Sequence, residues 1–368
     1  TERLAMGQSN VSGIFQFSIV YSFVILIFLS NAIIFVPLGH LVSRLMLRQD
    51  KLQSYSWNLI GSLAGIILFS LLSFLWSPPA LWLLVGFLIY IIFLKNLVNV
   101  FFSFVSLLLL LLIILIPQDT NKQDIYSPYQ IISLQHTNSP SSPVIVKASN
   151  LWFQNPYDLR KNILWATYYS APYEVVSETP KKILIVGSGT GNDVAYALQK
   201  GIQRIDAVEI DPVIIDIGKK YHPQSPYQSS KVNIIQNDAR NFIQHTKEKY
   251  DLIVYGLLDS HTSLSGRGGI RLDSYVYTVD AFKEAKKILN EDGYISLSFY
   301  VATIELGAKI HLMLKEAFSG NKPIVLTYKN YPSQFSQGIY TFVIGKNVDK
   351  NFEISNPYLS EVIFFENK

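Results

Sequence analysis

Ile183-Leu184-Ile185-Val186-Gly187-Ser188-Gly189-Thr190-Gly191-Asn192-Asp193 is the stretch that decides how the rest of the chain is read. Four apolar β-formers run into a glycine-rich turn, and the helix-compatible residues Val194 to Lys200 follow. A buried parallel strand reads this way, turning sharply into a helix whose N-terminus faces a ligand. Gly187, Gly189 and Gly191 let the backbone approach that ligand where a Cβ would clash. The turn taken alone also admits a purely structural reading, and its neighbours in sequence separate the two.

Downstream, strand and helix alternate. Arg204 to Glu209 reads as a strand, Val213 to Tyr221 as a helix behind Pro212, Val232 to Gln236 as a strand and Ala239 to Thr246 as a short helix. Tyr250 to Gly256 is the fourth strand, Tyr277 to Leu289 a helix and Tyr294 to Phe299 the fifth strand. A helix over about 303–318 precedes strands near 324–328 and 339–344. This alternation argues for a doubly wound, mostly parallel sheet, which binds ligands at the carboxyl ends of its strands.

Three acids fall at those ends. Glu209 closes strand two, roughly 20 residues past the glycines, where a carboxylate can accept bonds from ribose hydroxyls. Asp238 closes strand three, and Asp259 lies just past strand four. Together they point to an adenosine-containing ligand rather than to a pyrophosphate. The long connection from Asp259 to Thr278 has the character of a lid. Within it, His261 is read as a hydrogen-bonded loop histidine, and Arg267 and Arg271 as solvated cations. Ser263-Leu264-Ser265-Gly266 lacks the glycines of a nucleophile elbow.

Composition excludes several chemistries. The chain has 368 residues, enough for two domains, and no cysteine, so thiolate catalysis, disulfides and cysteine metal sites are ruled out. The formal net charge is +4, with no arginine-rich block, so nucleic acid is not an expected partner and no metal site is expected.

At this point the residues resemble a family. Ile183–Asp193, Ala207-Val208-Glu209-Ile210-Asp211-Pro212, Gln236-Asn237-Asp238-Ala239-Arg240 and Asp251 to Asp259 are similar to the spermidine synthase branch of the S-adenosylmethionine-dependent methyltransferase fold. Tyr277 to Phe282 resembles the start of that family's helix after its gatekeeping loop, and Ser127-Pro128-Tyr129-Gln130 its β-domain entry. The resemblance covers about 126–299. It implies that Gly187, Ser188, Gly189, Thr190, Gly191 and Asp193 line the cofactor, that Glu209 and Ile210 hold its ribose, and that Asp238 and Ala239 hold its adenine. It makes Asp259 the catalytic aspartate, matches Gln130 to a substrate-side glutamine and puts Tyr277 at the start of the helix beside the substrate. Tyr169 and Glu174, which lie with Tyr168 and Tyr173 in the helix over 157–176, read either as core packing or as a wall for a cationic substrate. The implied cofactor is decarboxylated S-adenosylmethionine, or S-adenosylmethionine itself.

Two positions depart from the family pattern. Thr190 stands where the family usually has an aspartate, and so does Gly256, three residues before Asp259. Both acids are associated in the family with amine or decarboxylated-cofactor recognition. Three functions therefore stay open: aminopropyl transfer to a polyamine, methyl transfer to an unknown acceptor, and non-catalytic binding of a polyamine or nucleoside at a membrane.

Upstream of the glycine turn, Gln118 to Asp124 reads as a linker, Tyr126 to Leu134, Val144 to Ser149 and a start at Trp152 as a small β module, and Tyr157 to Val176 as a helix despite Pro172. The first third carries most of the apolar excess. Ile14–Val36, Trp57–Trp76 and Leu97–Ile116 are uncharged runs of spanning length, and Ala80–Leu94 is a shorter fourth. Trp57, Trp76 and Trp82 fall near run ends, as interfacial anchors do, and Gly61 with Gly65 permits close helix packing. No charge lies inside the three long runs, which favours an anchor over a transport path.

The chain opens on Thr1 rather than Met, so further spans upstream are an open expectation. Arg44, Arg48 and Lys51 mark the first loop as cytoplasmic. Three spans then leave the C-terminal domain inside and four leave it outside; a cofactor made in the cytosol selects inside. The expected fold class is an N-terminal α-helical transmembrane segment, a small β module and an α/β Rossmann-like methyltransferase-fold domain with a seven-stranded, mostly parallel sheet. The expected domains are 1–117, 118–177, 178–347 and a tail, 348–368. The expected location is the bacterial inner membrane with the catalytic domain cytoplasmic. The expected partners are the bilayer, a small-molecule amine or other acceptor, and a second copy of the chain.

Overall fold

The computed structural model describes residues 14–47, 50–94, 96–115, 121–149, 151–176, 178–257, 275–301, 303–328, 338–346, 348, 352 and 354–362. The chain divides into two compact units, Thr1–Pro117 and Gln118–Lys368.

The first unit is helical: α1 (Ile14–Met46), α2 (Lys51–Phe74), α3 (Pro79–Ile91) and α4 (Leu97–Leu115). Helices α1, α2 and α4 are long and apolar enough to cross a membrane; α3, with 13 residues, is shorter than a span requires. The probable fourth span of the sequence reading is thus a short helix. Most apolar side chains on α1, α2 and α4 face outward, with Phe15, Phe28 and Leu97 exposed by 77%, 70% and 84%. Such a surface is stable against hydrocarbon and not against water.

The second unit opens with a four-stranded antiparallel sheet, β1 (Lys122–Tyr126), β2 (Ile131–His136), β3 (Val144–Ala148) and β4 (Leu151–Gln154), in that spatial order. The sequence reading gave this module two or three strands. The supposed linker supplies most of the extra one, because Lys122, Gln123 and Asp124 pair with β2. The expected helix over 157–176 is cut to α5 (Ile163–Ser170). Asn162 caps it by accepting from Trp165 N, which fixes its start. Pro172 then turns its end into a single 3₁₀ turn, because proline has no N–H to donate to the carbonyl four residues back.

The second sheet has eight strands: β5 (Lys182–Val186), β6 (Arg204–Glu209), β7 (Val232–Gln236), β8 (Tyr250–Tyr255), β9 (Leu289–Val301), β10 (Ile324–Tyr328), β11 (Gly338–Gly345) and β12 (Leu359–Glu361). Their spatial order is β12-β10-β11-β9-β8-β5-β6-β7. The pairs joining β7, β6, β5, β8 and β9 are all parallel, and β11, β10 and β12 add antiparallel edges. The seven-stranded expectation is corrected to eight. Three residues from beyond 348 pair with β10, a stretch too short to carry a period in sequence.

Helices α6 (Asn192–Gln199), α7 (Pro212–Tyr221), α8 (Ala239–His245), α9 (Val279–Lys287) and α10 (Ile304–Ala317) connect the strands. Ile183 to Val186 are fully buried, as a central strand covered on both faces requires. The chain reverses direction across the sheet at β5 and β8, so the switch point lies at their carboxyl ends. The glycine turn emerges there.

Candidate functional site

The glycine turn takes its shape from backbone that only glycine adopts freely. Gly189 and Gly191 have φ of 57° and 100°. A Cβ on Gly189 would fall 2.5 Å from Gln154 Oε1, and one on Gly191 would fall 2.9 Å from Pro226 Cγ. The turn is pinned from below. Ser188 N donates to Val208 O (2.9 Å), and the Tyr227 hydroxyl donates to Gly189 O (2.6 Å) while meeting Ser188 Oγ at 2.8 Å.

Glu209 stands at the end of β6 against this turn. Its buried carboxylate accepts from Gly189 N (2.9 Å) on Oε2, and from Ile210 N (2.8 Å) and Asp211 N (3.0 Å) on Oε1. Burial raises its pKa, and these backbone donors oppose the rise. A carboxylate has about four acceptor positions, so three are filled and the remaining one, on Oε2, can take a ligand hydroxyl.

Asp238 caps α8 by accepting from Asn241 N (2.8 Å), and Ala239 opens that helix. The Tyr129 hydroxyl is pushed up by burial and then by the charges of Asp211, Asp238 and Glu209. Through Ser127 and Gln130 the loop between β1 and β2 reaches Asp211, just past the end of β6. Gln130, in the same loop, hydrogen-bonds Asp211, which also accepts from Ser127 Oγ (2.7 Å) and caps α7 through Val213 N (3.0 Å).

Thr190 is fully buried, and both its N–H and its hydroxyl donate to Gln154 Oε1, at 2.7 and 2.8 Å. Gln154 also hydrogen-bonds Tyr169. Asn192, equally buried, donates from Nδ2 to Asn155 O and Tyr169 Oη, both at 2.9 Å. Its Oδ1 accepts from Tyr157 N (3.0 Å) and lies 3.1 Å from His222 Nε2. Burial lowers the His222 pKa to about 4, so the imidazole is neutral. Asp193 stands in the first turn of α6, partly buried, and burial pushes its pKa up to about 7.

Gly187 to Gly191, Asp193, Glu209, Ile210, Asp238, Ala239, Gln130 and Tyr169 thus gather around the carboxyl ends of β5, β6 and β7. Glu174 is engaged elsewhere: its Oε2 accepts from Ser355 N (3.1 Å) and Asn356 N (3.2 Å), fastening the C-terminal segment. Tyr277 precedes α9 and packs edge-on against Phe299 at 5.1 Å. Asp259, His261, Arg267 and Arg271 lie outside the described residues. Among the described residues no group of His, Asp and Glu is arranged to hold a metal ion.

Sequence reasoning missed Gln154, Tyr227 and His222. A lone glutamine ending a short strand carries no periodic signal, and its role appears only when β4 meets a turn 36 residues away.

The spermine/spermidine synthase domain matches residues 172–355, half of the chain. The chain belongs to that family. Its relatives include the polyamine aminopropyltransferases of Saccharolobus solfataricus, 31% identical over 180 residues, and of Thermoplasma acidophilum, 24% identical over 180 residues. These matches cover 46% and 47% of this chain and 54% and 60% of the relatives. The polyamine aminopropyltransferase of Buchnera aphidicola subsp. Acyrthosiphon pisum is 46% identical over 78 residues, 20% of this chain and 27% of that one. A solved spermidine synthase in complex with the transition state analogue AdoDATO superposes with a TM-score of 0.49 at 17% identity, covering 64% of this chain and 80% of that one. The chain spans a little over half the length of the curated relatives it matches. The family's domain takes in the glycine turn, Glu209, Asp238 and α9, and starts after β4, so Gln154 belongs to the part of this member outside the matched domain.

Proposed function

We propose that the chain transfers an aminopropyl group from decarboxylated S-adenosylmethionine to a polyamine by direct displacement. The observation that carries this reading is the buried Glu209 carboxylate, 2.9 Å from Gly189 N and with one acceptor position left at the mouth of the turn. Family membership supports it independently. The residues present fit an adenosine: Glu209 for a ribose hydroxyl, Asp238 and Ala239 for the base, and the turn 187–191 for the arm that bears the sulfonium.

The chemistry asks little of the protein beyond alignment. The amine nitrogen forms a bond to the carbon beside sulfur, the C–S bond breaks, and its electron pair leaves on a neutral thioether. No acid is needed for that departure, and holding nucleophile and carbon in line supplies most of the acceleration. The attacking amine must lose a proton, because its free pKa is roughly 10. Asp259 is the proposed acceptor or orienting group.

A second reading, methyl transfer from S-adenosylmethionine, is favoured by Thr190, which offers no charge and is tied to Gln154. Mass spectrometry of products, from the purified chain given both sulfonium donors and a panel of polyamines, separates the two. The first reading expects methylthioadenosine and a polyamine heavier by an aminopropyl unit. Methylated product with S-adenosylhomocysteine would replace it by the second.

The proposed setting is the bacterial inner membrane, with α1, α2 and α4 as anchor and the catalytic unit on the cytoplasmic side. The length and apolarity of those three helices support it. A homodimer is part of the same proposal, to be read by light scattering in detergent against monomer mass.

A further inference from the structure

We infer that Asp193 is the anionic subsite for a primary ammonium group of the substrate, supplied from helix α6 beside the end of β8. The inference rests on the proposed aminopropyl-transfer reading and assigns the charge recognition within that site.

Asp193 lies in the first turn of the helix that follows the glycine turn, and its Oδ2 is 3.1 Å from the point a Cβ on Gly256 would occupy. Gly187 O is 3.8 Å from the same point. The carboxylate therefore reaches across from the loop after β5 to the loop after β8, on the switch point of the sheet. Any side chain at 256 would meet it, and glycine leaves the space open. An acid in the first turn of a helix complements the helix dipole, and that role leaves its outer oxygen available to a ligand. Among the described residues Asp193 forms no ion pair, and its own backbone N–H is the donor that favours its charged form.

Its surroundings suit a cation. The charge of Asp193 is felt at the hydroxyls of Tyr169, Tyr173, Tyr227 and Tyr328. All four are held well above the ordinary phenol range, chiefly by burial, so they stay neutral and no competing cation is among them. A half-buried carboxylate among neutral hydroxyls, with part of its surface still open, binds a desolvated ammonium through its charge. Neither Thr190, buried against Gln154, nor Gly256 supplies a charge here.

Two ammonium groups qualify: that of the aminopropyl donor and that of the polyamine acceptor. Calorimetry on the full chain in detergent distinguishes them. Wild type and Asp193→Asn are titrated with methylthioadenosine, which has no ammonium, with decarboxylated S-adenosylmethionine, and with putrescine in the presence of methylthioadenosine. The expected result is a loss of tenfold or more for an ammonium-bearing ligand, with methylthioadenosine held within twofold. A loss confined to decarboxylated S-adenosylmethionine assigns the donor's ammonium, and one confined to putrescine the acceptor's. Equal loss for all three ligands, or no loss for any, overturns the inference. Gly256→Ala, which crowds Oδ2 without removing the charge, should weaken the same ligand as Asp193→Asn. A methylthioadenosine signal in both proteins with no ammonium selectivity sinks the subsite alone. Wild type that binds none of the ligands removes the aminopropyl-transfer reading and the subsite with it.

Discussion

Glu209 shows how one buried side chain serves both fold and ligand. Three backbone N–H groups hold its carboxylate still, and one acceptor position remains. Glu209→Gln keeps the shape but puts an N–H₂ where at least one of those donors points. A hydrogen bond to a charged group is worth about 1.5–3 kcal/mol, so methylthioadenosine affinity should fall roughly 10- to 100-fold by calorimetry. An unchanged Kd would remove Glu209 from the ribose site. His222 and Asp193 set opposite pH responses. His222 has its folded pKa depressed to about 4 from 6.5, so its stability contribution is present above 6.5 and is lost as pH falls through about 4. The full shift corresponds to about 3 kcal/mol. Denaturant titration at pH 7 and pH 4 should show that loss, and His222→Gln should flatten it; parallel curves would assign acid lability to other groups. Asp193 has its folded pKa raised from 3.8 to about 7, so its contribution is full below 3.8 and is lost as pH rises through about 7. An ammonium ligand should reverse that loss at pH 8.

Among the elements, β4 and the glycine turn form the least anticipated pair. Gln154 at the end of β4 takes both donors of Thr190 and joins Tyr169 on α5, so the small sheet and the large one meet at the site itself. Gln154→Ala leaves the buried Thr190 N–H and hydroxyl without their acceptor, at a cost of about 1–3 kcal/mol for the unsatisfied groups. Thermal unfolding of the variant should shift down, and methylthioadenosine affinity should fall with it. Full retention of both would show that the two sheets are joined by packing alone. The parallel strands were legible in sequence because each is a short, largely apolar run closed by a polar turn, mostly buried in β5, β6 and β8 and half-buried in β7. Val186, Glu209 and Gln236 end β5, β6 and β7 as the pattern expects. Strands β1 and β12 were not, since Lys122-Gln123-Asp124 reads as linker until β2 lies beside it, and three residues at 359–361 have no period. The acids named for the site were visible as residue types. Their division of labour was not: Asp238 caps a helix, Glu174 holds the C-terminal segment, and Asp193 points toward Gly256, because side-chain direction is fixed by tertiary approach.

On the scale of the whole molecule, orientation follows from how many helices can span. Arg44, Arg48 and Lys51 lie at the junction of α1 and α2, and basic residues in short loops favour the cytoplasmic side. In the proposed membrane setting α2 then runs outward. Helix α3, 13 residues long, rises only about 20 Å at 1.5 Å per residue, short of a hydrocarbon core of about 30 Å. In the proposed membrane setting α4 then returns the chain inward and puts the unit from Gln118 onward on the cytoplasmic side. Spheroplasts carrying the full chain should keep that unit protected from added protease, and lysed or inverted vesicles should expose it. Digestion in intact spheroplasts would mean that α3 spans as well, and would place the proposed site away from its donor. Substituting Arg44, Arg48 and Lys51 with glutamine removes the cytoplasmic signal of the first loop, and mixed protection of the C-terminal unit is the expected result. Continued full protection would show that residues other than these three set the topology.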